Sequence, residues 1–353
     1  MVPQPHRSPY ALDTSLLDVH TALITIDCNK FAANCTEGTM MSQHTIGWIG
    51  TGRMGFALAT RLANAGRDVT VYNRTRAKAD PLGELGCRIV DRPVDLADRD
   101  VVFTMVSTSE DLAQVLIGEG GLFSDPDRAP KIVIDSSTVS PEASARIRRA
   151  AAMRGIQFIA APVSGNAKVI DAGMLTIAAS GPREVFDEIE YLLEDLGRAV
   201  THVGDDDVAR LVKIAHNVFL GVVTQSLSEI VALAERGGVS RADFLAFLND
   251  SVMGSIFTRY KSPALVNLDF TPTFTNVLLR KDMQLGLAAG KALGVPMPIA
   301  AATDMLVAEA VGAGHVSDDF ATLFLEQTRR SGYTPESEAA PFDDGLAPAV
   351  VSA

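Results

Sequence analysis

Short apolar runs separated by helical stretches fill the first half of the chain. The runs predict β-strands, and amphipathic stretches such as residues 141–153 and 183–196 predict helices between several of them. Because alternating strands and helices form a mostly parallel sheet covered by helices, we expect one α/β domain over residues 42–204. The predicted strands are residues 46–49, 69–72, 87–90, 101–106, 132–135, 156–160, 175–178 and 199–203.

The pattern changes after Gly204. Residues 205–236 form one long helical pattern that is apolar on most sides, which predicts a helix buried between domains or between subunits. More helical patterns follow and no strand pattern competes, so we expect an all-α substrate and dimerisation domain over residues 205–327, joined to the first by the long interdomain helix. These patterns are residues 241–249, 277–293, 300–312 and 320–326, separated by Gly237, Gly238, Pro263, Pro272, Pro296 and Pro298.

The two ends of the chain lie outside these patterns. Residues 328–353 are polar and proline-bearing, which predicts a disordered tail. Residues 1–41 lack the basic and apolar segments of a secretory signal. We interpret them as a disordered or non-native extension, because the core pattern begins just after Met40 and Met41; a small extra element around residues 21–26 is the alternative.

Composition narrows the classes of partner. The 353 residues suffice for two domains, and their formal net charge is −12. Nucleic acid and anionic membranes attract basic faces, so this charge argues against both. No apolar run reaches the roughly 20 residues of a bilayer span. The three cysteines, Cys28, Cys35 and Cys87, show neither zinc-ligand nor disulfide-rich spacing, which favours a reducing cytoplasm and no metal site.

The stretch that organises the first domain is T-I-G-W-I-G-T-G-R-M-G, residues 45–55. Gly50, Gly52 and Gly55 have G-x-G-x-x-G spacing between a predicted strand and a predicted helix, with a second strand following. In such a unit the glycines permit a tight turn, a close approach to a pyrophosphate and close helix–strand packing. The helix N-terminus then directs unpaired N–H groups at the phosphates. This pattern predicts a Rossmann-type dinucleotide-binding domain; a purely structural turn is the alternative.

The end of the second strand indicates which dinucleotide is preferred. A domain specific for NAD usually has Asp or Glu there, about 20 residues after the glycines, to bind the ribose 2′-hydroxyl. This chain has Asn73, Arg74 and Thr75, with Lys78 nearby. An arginine and a hydroxyl can bind a 2′-phosphate that a carboxylate would repel. We therefore expect NADP in preference to NAD; a merely solvated Arg74 is the alternative.

Two polar motifs follow predicted strands. D-S-S-T, residues 135–138, ends one strand where ligands bind in parallel sheets, although a helix N-cap would use the same residue types. The motif A-A-P-V-S-G-N-A-K occupies residues 160–168. Its Ser164 and Gly165 could offer a hydroxyl and backbone N–H groups to a carboxylate; a plain proline-containing turn is the alternative.

Lys213 is the most informative single residue of the second domain. It lies in an apolar helix, where burying a lysine is costly, and Asn217 is on the same face one turn later. Burial would lower the lysine pKa toward a range useful for proton transfer. A lysine that extends its ammonium to solvent is the alternative interpretation.

Taken in order, these motifs resemble the β-hydroxyacid dehydrogenase family, which includes 3-hydroxyisobutyrate dehydrogenases and tartronate semialdehyde reductases. The resemblance covers residues 45 to about 327. I-G-T-G-R-M-G resembles the family's cofactor loop, D-S-S-T-V-S-P its D-x-S-T signature and A-P-V-S-G its substrate loop. Lys213 and Asn217 match the catalytic K-x-x-x-N pair, and Lys281-Asp282 is similar to the late K-D pair.

The resemblance implies roles for individual residues. Lys213 would be the general acid when a carbonyl is reduced and the base in the reverse direction. The substrate would contact Ser137, Ser164, Gly165, Asn166 and Asn217. The cofactor, NADP or alternatively NAD, would contact Gly50, Gly52, Arg53, Met54, Gly55, Asn73, Arg74, Thr75, Met105, Val106, Val139 and Lys281. No metal is implied. The expected partner is a small-molecule carboxylate.

The chain departs from the family pattern at three positions. Ala160 replaces a common Asp, Asn166 replaces a glycine, and His216 stands where Asn is frequent before Asn217. Because Asn166 and His216 belong to substrate motifs, we expect aryl or otherwise substituted 3-hydroxy acids instead of unsubstituted hydroxyisobutyrate.

Three other functions compete with this interpretation. An imine reductase would share the fold and cofactor loop but generally lacks the helix lysine. A phosphogluconate-type dehydrogenase would need a longer helical domain and a basic phosphate cluster. A catalytically silent NADP-binding module would not need Lys213, Asn217 and Lys281 together. The long apolar helix also predicts a homodimer or a higher homo-oligomer.

Overall fold

The computed structural model describes residues 44–346 of the chain. The predicted extension, the element considered at residues 21–26 and the last seven residues of the predicted tail lie outside the described part. Within it, an N-terminal α/β half is followed by a helical half, as the hydrophobic pattern predicts.

A mixed nine-stranded sheet forms the centre of the α/β half. Its strand order is β3-β2-β1-β4-β5-β6-β8-β7, with β9 paired to β8. Strands β1 to β6 pair in parallel, β8 runs antiparallel to β6 and β7, and β9 is parallel to β8. The strands are β1 Ile46–Ile49, β2 Val69–Tyr72, β3 Arg88–Val90, β4 Val101–Thr104, β5 Ile132–Asp135, β6 Gln157–Ala160, β7 Val163–Ser164, β8 Thr176–Ser180 and β9 Ala199–Gly204.

Helices cover both faces of this sheet. Side chains alternate across each strand, so the central strands bury one set of residues on each face. One face packs Trp48 and Phe103 against α1 and α5, and the other packs Val102 and Val133 against α2 and α3. The predicted Rossmann-type domain is thereby confirmed. The helices are α1 Arg53–Asn64, α2 Ser109–Ile117, α3 Pro141–Ala152, α4 Ala167–Asp171 and α5 Arg183–Leu196.

The helical half is built around one long helix. Helix α6, Val208–Arg236, is 29 residues and so about 43 Å long, and α7, α9, α10 and α11 pack against it. In the described part of this half the sole β-pairing is an isolated bridge between Thr275 and Asp319. The other helices are α7 Arg241–Asp250, α8 Ile256–Asn267, α9 Asn276–Ala292, α10 Pro298–Gly312 and α11 Leu323–Arg330.

Helix α6 corrects one expectation from the sequence. By length and composition it could cross a bilayer, since its most apolar 18-residue stretch has a mean hydropathy of 1.4, although no apolar run of about 20 residues was expected. Half of its most apolar stretch is buried among the neighbouring helices, as in the core helix of a compact domain. A helix that is apolar on most sides needs such surroundings.

Two local features differ from the predictions. Pro263, expected to separate helices, lies inside α8. A proline removes one helical hydrogen bond, but burial of Lys261 and Ser262 before it and of Leu265 after it holds the helix together. The predicted helix at residues 320–326 is a 3₁₀ turn, Phe320–Thr322, that runs into α11.

The described part of the predicted disordered tail is packed on the helical half. Helix α11 continues to Arg330, and Tyr333 donates to the Glu235 carboxylate at 2.8 Å. The Glu338 carboxylate accepts hydrogen bonds from the first two backbone N–H groups of α7. Polar composition indicated disorder, but these polar groups bind groups of the helical half that would otherwise lack partners.

Candidate active site

The glycine loop between β1 and α1 has the geometry that its spacing predicts. Gly50 has a φ of +98°, and a Cβ added to it would lie 2.3 Å from the Met105 carbonyl oxygen. A Cβ on Gly55 would lie 2.0 Å from the Gly50 carbonyl oxygen. Glycine is therefore required at both positions. A Cβ on Gly52 would meet no atom within 4 Å, so the loop faces open space there.

That open space suits a pyrophosphate. Gly52 is the N-cap of α1 and no side chain caps the helix, so the first N–H groups of α1 are free for an anion. Thr51 Oγ1 is buried with no hydrogen-bond partner among residues 44–346. A cleft of about 480 Å³ adjoins the loop and is lined by Thr51, Gly52, Arg53, Phe56, Ala57, Thr60, Lys78, Ala167 and Asp171. The loop thus fits a dinucleotide.

The first turn of α1 also touches the helical half. The exposed Arg53 guanidinium donates to the Pro272 carbonyl oxygen, and Met54 is half-buried against the core. Arg53 therefore ties the glycine loop to the segment before α9, and both residues border the loop as predicted.

The end of β2 braces the glycine loop. Asn73 Oδ1 accepts a hydrogen bond from Thr51 N at 2.9 Å, and Asn73 Nδ2 donates to the Thr75 carbonyl oxygen at 2.8 Å. The Arg74 side chain is 81% exposed and pairs with Asp111 at 2.8 Å. An exposed guanidinium held by a single carboxylate is free to turn to a phosphate. Asn73 thus shapes the loop, while Arg74 and Thr75 present their side chains to solvent.

The carboxyl ends of β4 and β5 lie next to each other beside the glycine loop. Met105 N donates to the Ile49 carbonyl oxygen and Val106 N donates to Ser137 Oγ, both at 2.9 Å. Both residues are half-buried, whereas Ser137 and Val139 are buried. The residues predicted to lie on the nicotinamide side are therefore neighbours, and Ser137 accepts a hydrogen bond from the segment that ends β4.

Lys213 lies half-buried on α6, where it interacts electrostatically with Asp282 and Lys281 of α9. Burial lowers the pKa of Lys213 from 10.5 to about 8; the Asp282 charge opposes that shift and the Lys281 charge adds to it. Nζ of Lys213 has no hydrogen-bond partner among residues 44–346. Lys281 Nζ lies 3.3 Å from the Asp282 carboxylate and 3.5 Å from the Thr138 carbonyl oxygen. Both lysines thus lie near one carboxylate, and Lys281 also contacts the segment that follows β5.

A line of hydrogen bonds connects the substrate motif to this charge cluster. Ser164 Oγ lies 2.8 Å from His216 Nε2, and His216 Nδ1 lies 3.0 Å from Asn217 Oδ1. Asn217 Nδ2 donates to Asp282 Oδ2 at 2.6 Å. The structure therefore brings Ser164, Lys213, Asn217 and Lys281 together, as the motifs predict, and adds His216 and Asp282 to them.

Gly165 and Asn166 shape the turn after Ser164. Gly165 has a φ of +142°, and a Cβ there would crowd Val169 and Leu175 at 2.8 and 2.9 Å. Asn166 is buried and its Oδ1 caps α4 by accepting from Val169 N at 3.1 Å. Asn166 Nδ2 has no partner among the described residues. Gly165 presents its backbone to solvent, whereas Asn166 is held mainly as a helix cap.

The sequence reasoning missed a buried ion pair under the site. Arg210 Nη2 donates to Asp135 Oδ2 at 2.7 Å, Nη1 donates to the Ser137 carbonyl oxygen at 2.9 Å, and Nε donates to Ser144 Oγ at 2.7 Å. Thr104 Oγ1 donates to the other Asp135 oxygen. A lone arginine three residues before Lys213 in an apolar helix was the available signal, because an arginine there needs a buried anion.

Family models match both halves of the chain. Residues 45–204 match the NAD-binding domain of 6-phosphogluconate dehydrogenase, and residues 208–325 match the NAD-binding model of NADP-dependent 3-hydroxyisobutyrate dehydrogenase. The α/β half is therefore an NAD(P)-binding domain.

Two curated relatives are similar over most of the described chain. Human cytokine-like nuclear factor N-PAC is 29% identical over 79% of this chain, which spans 50% of that protein. Glyoxylate/succinic semialdehyde reductase 1 of Arabidopsis thaliana is 31% identical over 79% of this chain and 96% of its own length. The chain thus spans about half the length of N-PAC and almost all of the plant reductase.

Solved structures share the fold. The Mycobacterium tuberculosis 3-hydroxyisobutyrate dehydrogenase described with L-serine has a TM-score of 0.68 at 25% identity, over 80% of this chain and 98% of that one. A reductive aminase from Aspergillus terreus described with NADPH and ethyl levulinate has a TM-score of 0.54 at 24% identity, over 80% of this chain and 98% of that one, which shows a common fold alone. Together with the plant relative and the family models, these likenesses show that the chain belongs to the β-hydroxyacid dehydrogenase family of the 3-hydroxyisobutyrate dehydrogenase type.

Proposed function

We propose that this chain is an NAD(P)-dependent oxidoreductase that interconverts a 3-hydroxy acid and its 3-oxo acid or semialdehyde. The observation that carries the proposal is the Lys213 amine, whose pKa is lowered to about 8 beside the Asp282–Lys281 pair. A general acid/base works best when its pKa lies near the working pH. Membership of the family supports the same reaction class.

Lys213 supplies the proton transfer. A nicotinamide cofactor, when bound, would supply the hydride exchange at C3 of the substrate. In the oxidative direction the neutral Lys213 amine accepts the proton of the 3-hydroxyl group while the hydride leaves C3. In the reductive direction the ammonium stabilises the negative charge on the carbonyl oxygen and then donates its proton. In each direction the substrate exchanges one hydride with the cofactor and one proton with Lys213, so atoms and charge balance.

The remaining site residues hold the two ligands. The free N–H groups at the start of α1 and the open face of Gly52 bind the pyrophosphate. One Nδ2 hydrogen of Asn217 is committed to Asp282, and the other is available to a substrate oxygen. Gly165 offers backbone N–H to the carboxylate.

NADP is the preferred cofactor in this proposal. Arg74 and Thr75 are exposed at the end of β2, and Lys78 lines the adjoining cleft. A guanidinium binds a phosphate strongly, and no carboxylate at position 73 opposes the 2′-phosphate.

A substituted 3-hydroxy acid is the proposed substrate, because Asn166 and His216 replace smaller or different residues of the family pattern. His216 is exposed beside Ser164, so a substituent on the substrate would meet its ring. Best turnover on unsubstituted hydroxyisobutyrate would contradict this part of the proposal.

An imine reductase and a catalytically silent module are the alternatives. The fold shared with a reductive aminase does not by itself favour the imine reductase, because one fold can host many activities. The name of N-PAC describes a nuclear factor, not an activity, so similarity to it leaves catalysis open. Lys213 argues against both, because neither needs a lysine with a lowered pKa at this place.

We further propose a homodimer or a higher homo-oligomer in a reducing compartment such as the cytoplasm. Helix α6 exposes Leu211, Phe219 and Leu233, whose exposed fractions are 43%, 68% and 72%. A second copy would cover this face. A light-scattering mass of 37.5 kDa, that of one chain, would contradict the oligomer.

The testing experiment measures NADPH or NADH absorbance with a panel of 3-hydroxy acids, for the wild type and Lys213→Ala. Turnover that collapses in the variant supports the reaction class and the role of Lys213 together. NADPH oxidation with a cyclic imine, but no turnover of any acid, would favour the imine reductase. Full biological activity of Lys213→Ala would favour the silent module.

A further inference from the structure

The hydrogen bonds from Asp282 to Ser164 have a fixed direction. The Asp282 carboxylate, paired with the Lys281 ammonium, accepts from Asn217 Nδ2. The amide oxygen of Asn217 therefore faces His216 Nδ1, and a carbonyl oxygen can only accept. The hydrogen of the neutral imidazole is thus on Nδ1, which leaves a lone pair on Nε2.

This tautomer determines what Ser164 can do. His216 Nε2 lies 2.8 Å from Ser164 Oγ and accepts the hydroxyl hydrogen. The lone pairs of Ser164 Oγ then remain free, and Ser164 is half-buried, so a ligand can reach them. Such a hydroxyl accepts a hydrogen bond from a ligand and has no hydrogen left to donate to a carboxylate.

We propose that His216 is a positioning residue that keeps Ser164 as a hydrogen-bond acceptor, so that the site favours a substrate with a donor on C2 over one with a methyl group there. This inference rests on the proposed function, in which Ser164 contacts the substrate. The expected donor on the substrate is a hydroxyl group on C2, the carbon between the carboxylate and the reacting C3.

Partial desolvation and the Lys213 charge favour the neutral ring of His216, although part of its side chain is exposed to solvent. Loss of solvent lowers the pKa of His216, the Lys213 charge lowers it further, and the hydrogen bond to Asn217 opposes both effects. The groups around it are Lys213 and Asn217 on its own helix, Asp282 and Lys281 on α9, and Ser164 on β7. Below its pKa, His216 would donate from both nitrogens, and the Ser164 hydroxyl hydrogen would be free to bind a ligand.

The test uses glycerate and 3-hydroxyisobutyrate, which differ in a hydroxyl or methyl group on C2. The quantity is the ratio of kcat/KM for glycerate to that for 3-hydroxyisobutyrate, in the wild type, His216→Phe, Ser164→Ala and the double variant. Phenylalanine keeps a ring of similar shape without the nitrogen lone pair. The ratio of dissociation constants with NADP present, measured by calorimetry, gives the same comparison whether or not the acids are turned over.

We expect His216→Phe to lower the ratio by about 3- to 10-fold, which corresponds to the net free energy of one hydrogen bond. Ser164→Ala should lower it similarly, and His216→Phe should then have no further effect. The wild-type ratio should fall as the pH decreases below 6.5, and the His216→Phe ratio should not.

Two results would overturn the role of His216. One is an equal change for both acids in His216→Phe, because that indicates a general effect on the pocket. The other is an undiminished effect of His216→Phe in the Ser164→Ala background. Turnover of neither acid, with the calorimetric ratio still dependent on His216, would count against the proposed function alone.

Discussion

Arg210 and Asp135 form a buried ion pair between the start of α6 and the end of β5, with Nη2 2.7 Å from Oδ2 and exposed fractions of 3% and 0%. Arg210 lies one turn before Lys213, and Asp135 begins the D-S-S-T motif that ends in Thr138. The pair therefore sets the position of the catalytic lysine proposed on α6 relative to the carboxyl end of β5.

Breaking this pair should cost both stability and turnover. Arg210→Met leaves the Asp135 carboxylate buried without its main partner, which typically lowers the free energy of unfolding by about 3–5 kcal/mol. Urea denaturation measures that loss, and kcat should fall with it because α6 loses its anchor.

The matched control is Arg128→Met. Arg128 also pairs with an aspartate, Asp125, at 2.7 Å, but its side chain is 52% exposed. An exposed pair contributes about 0–1 kcal/mol. Equal losses in the two variants would show that burial of the Arg210 pair has no special importance.

Replacing Lys213 should separate stability from activity. The lowered pKa means that the folded protein disfavours the charged lysine, and this penalty is full below pH 8 and relieved as the pH rises to 10.5. Lys213→Met should therefore raise the free energy of unfolding at pH 7 by about 1–3 kcal/mol while lowering kcat by about 10²–10⁴. A variant that is both less stable and fully active would contradict the role of Lys213.

The pH dependence should differ between the two directions of reaction. Oxidation needs the neutral amine of Lys213, so kcat/KM for the hydroxy acid should rise about tenfold per pH unit up to about 8 and then level off. Reduction needs the ammonium and should decline above the same pH. Initial rates in both directions between about pH 6 and 10 test this; parallel profiles would exclude a single group acting in both roles.

Arg74 should determine cofactor preference. Arg74→Ala removes the exposed guanidinium proposed for the 2′-phosphate, so kcat/KM for NADP should fall about 10- to 100-fold, as for a lost charge-assisted hydrogen bond, while that for NAD should change little. The control is Arg76→Ala, because Arg76 is similarly close in sequence but pairs with Asp80 and Asp91. A similar loss of NADP preference in both variants would assign the effect to general positive charge.

The local sequence pattern predicted the fold well, because apolar periodicity and glycine spacing depend directly on backbone conformation and on which side chains are buried. Apolar runs of four to six residues and the glycine spacing found the six parallel strands and the loop that Gly50 and Gly55 require. Pro263 was misjudged because burial of its neighbours in α8 depends on the tertiary structure. The described part of the tail was misjudged for the same reason.

The candidate site was predictable only in part. Motifs identified Ser164, Lys213, Asn217 and Lys281, which the structure brings together. They could not show that Arg210 pairs with Asp135, 75 residues away, or that His216 contacts Ser164. Such pairs depend on how α6 packs on the sheet, and no local spacing encodes that packing.

Glu338 should hold the C-terminal segment on the helical half. Its carboxylate accepts from Arg241 N at 2.7 Å and from Ala242 N at 2.9 Å, so it caps the N-terminus of α7 from outside the helix. Arg241 is buried and also donates to the carbonyl oxygens of Val266 and Glu336. Glu338→Ala should lower the free energy of unfolding by about 0.5–2 kcal/mol, as for a lost N-cap, and make residues 331–346 easier to cleave. Glu336→Ala is the matched control, because only its backbone binds Arg241 and its side chain is exposed. Urea denaturation and limited proteolysis measure both effects, and equal cleavage of the two variants would show that the cap does not retain the segment.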